Sequence, residues 1–271
     1  MNKDFVGTLP NCSNRVQEYF YPNYFSFRIS KLTKIIISKL QKGKVLDIGM
    51  GSGWLMRELF HAGFQPIGVD ISERSIKEAR FIFKKEKLPL RVRKSGALKL
   101  PFRNNFFNNV IFFNVFEHIK NQKKALVEAH RVVKKNGILV IAIPNPKTYG
   151  FIYDFLLPKI SKKLELFHSR NLSKDFKKFN LPLEHKQGSP DLHVAKYNIS
   201  SIRKLINESG FQAILVQNTG FLSHFFTSFF CSFLGISRKK IRIIEKLDLL
   251  LAKIVPAPLA IGWLFVAKKT K

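Results

Sequence analysis

The sequence predicts an α/β fold in which helices cover both faces of a mostly parallel sheet. Two observations support this prediction. Short apolar runs alternate with amphipathic segments between residues 44 and 143, and a glycine-rich turn joins the first run to the first helix. With 271 residues, the chain is long enough for one such domain and additional segments.

Five strands and three helices are predicted in this alternating part of the chain. The apolar runs place strands near 44–48, 66–70, 90–94, 109–113 and 137–143. Helical periodicity places the helices near 53–62, 73–87 and 121–134. Ser72 is the expected N-cap of the second helix. Asn136 and Gly137 are expected to turn the chain into the fifth strand, which Pro144 ends.

The remaining segments are predicted to cover and complete the sheet. Residues 1–42 form an N-terminal helical cap, with an amphipathic helix over 26–42. After the core domain (43–143), the alternation stops over 144–195, which is rich in Lys and Phe. Because ligands bind at the carboxyl edge of such sheets, we interpret this stretch as a mostly helical lid or substrate-recognition insertion. Residues 196–271 then restore the pattern.

The C-terminal part supplies the last two strands of the predicted sheet. A helix is expected over 200–209, with Gly210 as the glycine that ends it. Strands are expected over 211–216 and 261–267, which brings the sheet to seven strands.

The stretch from Val45 to Leu55 carries the most functional information. It joins a buried strand, an acidic residue, a turn and a helix start, and the turn contains Gly49, Gly51 and Gly53. Glycine lets the backbone approach a ligand closely, and the helix that follows presents free N–H groups. Trp54 stands where a dinucleotide-binding fingerprint has its third glycine, so that fingerprint is not met.

Two carboxylates beside the turn indicate which ligand it suits. Asp47 immediately precedes the turn, where a negative charge would repel a pyrophosphate but attract a positively charged group. Asp70 ends the next apolar run, where its oxygens can accept hydrogen bonds from ribose hydroxyls. If the glycine turn only connected the strand to the helix and bound no ligand, neither carboxylate would be needed.

These motifs resemble those of the class I S-adenosylmethionine-dependent methyltransferases, in particular the branch that acts on small molecules. The resemblance covers 43–143 and extends less closely over 193–271. It implies a Rossmann-like fold with S-adenosyl-L-methionine as the cofactor. The cofactor-binding residues that it implies are Asp47, Gly49, Met50, Gly51, Gly53, Asp70, Ile71, Gly96, Ala97 and Asn114.

The loop after the third strand departs from the family pattern. Residues 93–102 resemble the family's Gly-Asp-Ala-x-x-Leu-Pro-Phe, but Gly96 stands where the aspartate accepts a hydrogen bond from the adenine amino group. A hydrogen bond to a charged group contributes about 1.5–3 kcal/mol. We therefore expect cofactor binding to be weaker by about one or two orders of magnitude. Asn108 is a second departure, at a position that is usually structural.

The loop after the fourth strand resembles the family's Val-Leu-Glu-His-Ile. Glu117 and His118 match it, and Asn114 is expected to face the methionine half of the cofactor. His118 is the candidate catalytic residue, because an imidazole can accept a substrate proton near neutral pH. The alternative is a structural pair of Glu117 and His118 that orients the loop, since methyl transfer mainly requires alignment of the reactants.

The net charge of +29 leaves several interpretations open. It can follow from composition, because Lys, Ile, Phe and Asn are enriched together, and basic residues occur in every part of the chain. It can also attract anionic lipid or nucleic acid. No Asn-Pro-Pro-Tyr or Asp-Pro-Pro-Tyr motif of base-methylating enzymes follows the fourth strand. The sequence therefore favours small molecules and lipids over nucleic acid.

An apolar segment near the C-terminus also favours an apolar methyl acceptor. Residues 211–237 contain no Asp, Glu, Lys or Arg, and residues 238–242 are Arg-Lys-Lys-Ile-Arg. An apolar segment followed by a basic cluster can bind to the surface of an anionic membrane. It can equally cover the cofactor cleft and line an apolar substrate pocket.

Cysteine usage and the N-terminus predict a cytoplasmic protein, with membrane association as the variant just described. Cys12 and Cys231 lie far apart and match neither a disulfide framework nor a metal site. The first residues lack the continuous apolar core of a signal peptide. We therefore predict no metal.

Taken together, these patterns predict a transferase that methylates oxygen, nitrogen or carbon of a small, apolar or lipid-like molecule. One alternative is an RNA or other nucleic-acid methyltransferase. The other is a catalytically inactive cofactor-binding protein, which Gly96 suggests.

Overall fold

The computed structural model describes residues 24–147, 197–220, 247 and 250–270. Most of the predicted lid, the start of the N-terminal cap and much of the apolar segment, with its basic cluster, lie outside the described residues. Within the described ranges, no helix is both long and apolar enough to cross a bilayer.

Seven strands form one mixed sheet. The strands are β1 (Lys44–Ile48), β2 (Gln65–Asp70), β3 (Val92–Lys94), β4 (Phe107–Phe113), β5 (Val133–Pro144), β6 (Phe211–Asn218) and β7 (Gly262–Lys269). Their order is β3-β2-β1-β4-β5-β7-β6. The first five strands are mutually parallel, and β7 runs antiparallel between β5 and β6. The predicted seven-stranded, mostly parallel sheet is therefore confirmed.

The helices lie close to their predicted positions. They are α1 (Tyr24–Lys39), α2 (Trp54–His61), α3 (Glu73–Lys85), α4 (Gln122–Val132) and α5 (Ile199–Glu208). The Ser72 hydroxyl accepts a hydrogen bond from the Ser75 N–H at 3.2 Å, which confirms the predicted N-cap of α3. Gly210 follows α5 with a φ of 83°, as a terminating glycine requires.

The fifth strand is longer than predicted. It begins at Val133 instead of near residue 137, and its pairing with β4 shifts register between Phe107 and Asn109. Asn136, with a φ of 63°, lies inside this irregular stretch. Asparagine tolerates this left-handed conformation, so the predicted turn becomes an interruption within a longer strand.

Helices cover both faces of the sheet, as predicted. Leu46 and Ile48 of β1 belong to a core cluster with residues of α4 and α5. Val45, which points the opposite way, belongs to a second cluster with residues of α1 and α2. Because β2 and β4 flank β1 and run parallel to it, their carboxyl ends meet at one edge, where ligands bind in such sheets.

Candidate functional site

The turn after β1 has a shape that requires glycine. Gly49, Gly51 and Gly53 have φ values of 70°, 56° and 80°. The Gly49 N–H donates to the Val69 carbonyl at 2.8 Å, which ties the turn to β2. A Cβ on Gly49 would overlap Cγ2 of Val115, so a larger residue would push the loop after β4 away.

Asp47 is buried immediately before this turn. Its side chain is 1% exposed, and neither carboxylate oxygen accepts a hydrogen bond from the described part of the chain. Burial raises the pKa of Asp47 to about 7, and the negative charge of Asp70 adds to the rise. A buried carboxylate without donors is costly unless a partner compensates it. The position therefore suits a positively charged group of a ligand.

Asp70 ends β2 and organises the backbone around it. Its Oδ2 accepts a hydrogen bond from the Gly51 N–H at 2.9 Å, and its Oδ1 accepts one from the Ser72 N–H at 2.8 Å. The carboxylate thus joins the glycine turn to the start of α3. Each oxygen has a further lone pair, so Asp70 can still accept hydrogen bonds from ligand hydroxyls.

The loop after β3 lies beside the end of β2. The Ser95 N–H donates to the Asp70 carbonyl at 3.0 Å, which brings Gly96 and Ala97 close to this site. Ile71 is 73% exposed, and a Cβ on Gly96 would meet its Cγ2 at 3.4 Å, an ordinary contact. An exposed isoleucine next to open backbone can pack against a flat ring such as a nucleobase.

The loop after β4 carries the remaining predicted residues. Asn114 is exposed, has a φ of 50° and donates its N–H to the Ala142 carbonyl at 2.9 Å. A short 3₁₀ helix follows and contains Glu117 and His118. The His118 side chain is 34% exposed and its Nε2 lies 3.8 Å from Oε1 of Glu117, too far for a hydrogen bond.

Glu117 is a second buried acid. Its Oε2 accepts no hydrogen bond from the residues that the structure describes, and burial raises its pKa to about 8. Tyr197 is also buried, and its hydroxyl donates to the Pro144 carbonyl at 2.9 Å. Burial raises the pKa of Tyr197, and the negative charge of Glu117 raises it further. The two side chains therefore form one buried, electrostatically coupled cluster.

The structure gathers the predicted site residues at the carboxyl ends of β1 to β4. Met50 differs from the others, because its side chain is buried in a core cluster with Met56 and Phe83. Only the backbone of Met50 is left to face a ligand. Within the described ranges, no group of His, Cys, Asp and Glu side chains could hold a metal ion.

Two residues that shape the site were missed by sequence reasoning. Val115 occupies the space beside Gly49, and its place in the matched loop was the available signal. Tyr197 joins the cluster of Glu117 from a distant part of the chain. Only the tertiary fold brings Tyr197 there, so the sequence offered no signal for it.

Comparison with known proteins matches the core domain to one family. A family model described as a methyltransferase domain matches residues 46–141. A ubiquinone biosynthesis O-methyltransferase of Pelagibacter ubique is 29% identical over 114 residues, 42% of this chain and 47% of the relative. The chain thus spans about half the length of that relative. An uncharacterized protein of Methanocaldococcus jannaschii is 30% identical over 166 residues, 58% of this chain and 67% of the relative.

Solved structures show the same fold. A SAM-dependent methyltransferase from Archaeoglobus fulgidus superposes with a TM-score of 0.55 at 20% identity, covering 94% of this chain and 98% of that one. At this identity, the likeness establishes the architecture, and chemistry has to be argued from the site.

Proposed function

The chain belongs to the class I S-adenosylmethionine-dependent methyltransferases, and from this we propose that it methylates a small, apolar or lipid-like acceptor. The cofactor of the family is S-adenosyl-L-methionine, whose sulfonium supplies the methyl group and the driving force of the transfer. The acceptor atom can be oxygen, nitrogen or carbon. No metal takes part in the proposed reaction.

The observation that carries the methyltransferase assignment is the unpaired carboxylate of Asp47 beside the glycine turn, which suits the cationic cofactor. A buried acid without donors fits a cationic cofactor and does not fit a phosphate-bearing one. We assign Asp70 to the ribose hydroxyls. Ile71, Gly96 and Ala97 are assigned to the adenine.

The groups after β4 are proposed to serve the acceptor side. Asn114 would line the methionine half of the cofactor. His118 is partly exposed at this edge, so it can reach a proton on a bound acceptor. The distance of 3.8 Å to Glu117 argues against a hydrogen-bonded Glu117–His118 pair. The buried side chains of Glu117 and Tyr197 would help to hold the loop after β4 in position.

The substitution His118→Gln separates a base from a loop support. As a base, His118 contributes about 10²–10⁴-fold to the rate, so kcat should fall by about this factor at saturating cofactor. Thermal unfolding of the variant should match that of the parent. A variant with normal kcat but a lower melting temperature would assign His118 a structural role.

An apolar surface near the same edge supports an apolar acceptor. Leu250, Leu251, Ile254 and Leu259 are exposed. The Asn145 amide, just beyond β5, donates to the Pro258 carbonyl at 2.8 Å and so fixes this surface beside the end of the sheet. We propose that the surface guides greasy acceptors to the site and contributes to peripheral contact with anionic membranes.

The acceptor class can be tested with methyl-labelled cofactor and a cell extract. We expect label to enter the organic-solvent fraction with the parent protein and not with Asp47→Asn. Label confined to RNA would contradict the proposed acceptor and support a nucleic-acid enzyme. Cofactor binding is measured in parallel by calorimetry, so a missing acceptor is distinguished from a missing cofactor.

Gly96 favours a second candidate, a cofactor-binding protein without catalysis. A glycine there removes one side-chain acceptor for adenine. This candidate predicts cofactor binding with no label transferred to any fraction of the extract.

A further inference from the structure

A groove with a volume of about 470 Å³ lies beside β3, away from the site described above. Its floor is apolar and includes Ile67, Val92, Phe102 and Phe106. Ile67 precedes Asp70 by three residues on β2, which places the groove about 10 Å toward the amino ends of the strands. The connection 95–106 contains no helix, so no helix of the described connection covers this part of the sheet face.

Arginines form the rim of the groove. Arg91, Arg93 and Arg103 all line it. The Arg93 guanidinium lies 5.2 Å from the ring centroid of Phe102, and the Arg103 guanidinium lies 5.3 Å from that of Phe106. Cation–π contacts of this kind hold a guanidinium flat over a ring and leave its edge N–H groups available.

No carboxylate in the described part of the chain neutralises these three arginines. Arg93 donates to the Pro101 carbonyl at 2.8 Å, which fixes the side chain without cancelling its charge. Lys44 adds a further cation, with Nζ 4.0 Å from the Phe106 centroid. The groove therefore combines apolar walls with a concentrated positive charge.

The sequence around the groove is more basic than the rest of the chain. Eight of the twenty residues 84–103 are Lys or Arg, and Glu86 is the one acid among them. Glu86 pairs with Arg57 at 3.0 Å, outside the groove. These twenty residues carry +7 of the chain's net charge of +29, so the groove is a local concentration of positive charge in a chain that is basic throughout.

We propose that this groove is a binding site for an amphipathic phosphate ester. The phosphate would contact the guanidinium groups, because planar N–H forks match phosphate oxygens in pairs. The apolar part would lie on Ile67, Val92 and Phe102. The volume falls within the range of small-molecule sites, about 300–1,000 Å³. A free phosphomonoester and the headgroup of an anionic lipid share this chemistry.

The site can be tested on the full chain by calorimetry with hexyl phosphate and inorganic phosphate as probes. We expect saturable binding of hexyl phosphate at least tenfold tighter than that of inorganic phosphate. The double variant Arg91→Gln/Arg103→Gln should weaken hexyl phosphate binding at least tenfold and leave S-adenosylmethionine binding unchanged. Lys204→Gln, which removes an exposed charge on α5, is the matched control and should bind hexyl phosphate normally.

Two further arms identify the source of the ligand. Sedimentation of the protein with phosphatidic acid vesicles, lost in the double variant, would support a lipid headgroup. Hexyl phosphate binding without vesicle binding would support a free phosphomonoester. Equal affinity for hexyl phosphate and inorganic phosphate would overturn the proposal. Equal weakening in Lys204→Gln, or displacement of hexyl phosphate by a lower concentration of single-stranded RNA, would overturn it as well.

Discussion

Asp47 and Asp70 lie at the ends of adjacent parallel strands, and the fold surrounds them differently. Both oxygens of Asp70 accept hydrogen bonds from backbone N–H groups of the loops. Neither oxygen of Asp47 has a donor among the described residues, although Asp47 is the more deeply buried of the two. The protein itself therefore compensates the charge of Asp70, whereas the described residues leave the charge of Asp47 uncompensated.

The difference shows that the two carboxylates of this site can have different roles, one in stabilising the folded loop and the other in binding the cofactor. The Asp70 carboxylate shapes the turn before any ligand arrives, which lowers the cost of ordering the loop on binding. The Asp47 carboxylate is destabilising in the free protein, because burial favours its protonated form. Substitutions at the two positions should therefore differ in their effects on stability and on cofactor affinity.

Asp47→Asn should have the largest effect on cofactor binding. Removing one partner of a buried charge pair costs about 3–5 kcal/mol, so the affinity for S-adenosylmethionine should fall at least about 100-fold. The free energy of unfolding of the free protein should stay the same or rise at pH 8, since a costly buried charge is gone. Calorimetry and urea unfolding measure the two quantities. A clear loss of stability would contradict the assignment of Asp47 to the ligand.

Asp70→Asn should lower both the free energy of unfolding and the affinity for the cofactor. The amide can still accept from Ser72 through its oxygen, but its NH₂ group cannot accept from the Gly51 N–H. We expect the free energy of unfolding to fall by about 1.5–3 kcal/mol and the affinity to fall about 10- to 100-fold. If Asp70→Asn has the same free energy of unfolding as the parent protein, the proposed structural role of Asp70 is wrong.

The raised pKa of Asp47 should make cofactor binding depend on pH. With a pKa of about 7, the carboxylate is mostly protonated at pH 6 and mostly ionised at pH 8. Affinity for the cationic cofactor should therefore rise about tenfold between these two values. Equilibrium dialysis at several pH values tests this, and Asp47→Asn is the control in which the dependence should vanish.

The same pKa predicts the sign of a stability change. The folded protein binds a proton at Asp47 between about pH 4 and 7, where the unfolded chain has released it. Stability of the free protein should therefore decline as pH rises through this window. In Asp47→Asn the decline should be smaller, with Glu117 responsible for a part that extends to about pH 8.

The strands, helices and glycine turn were predictable because they depend on local patterns. Apolar runs, the Ser72 cap and the positions of the three glycines each act over a few residues. The unequal surroundings of Asp47 and Asp70 were not predictable, because the donor from Gly51 reaches Asp70 only after the turn has folded. The role of Tyr197 and the early start of β5 likewise depend on contacts distant in sequence.

Gly96→Asp should give the smallest effect, and it extends the comparison to a third carboxylate in the site. The position has room for a side chain, since a Cβ there meets Ile71 at ordinary contact distance. A new acceptor for the adenine amino group is worth about 1.5 kcal/mol at the lower limit, and ordering the side chain offsets part of it. Cofactor affinity should therefore rise about fivefold. Gly96→Asn, which keeps the size without the charge, is the matched control. If both variants weaken binding, the loop after β3 does not contact the adenine.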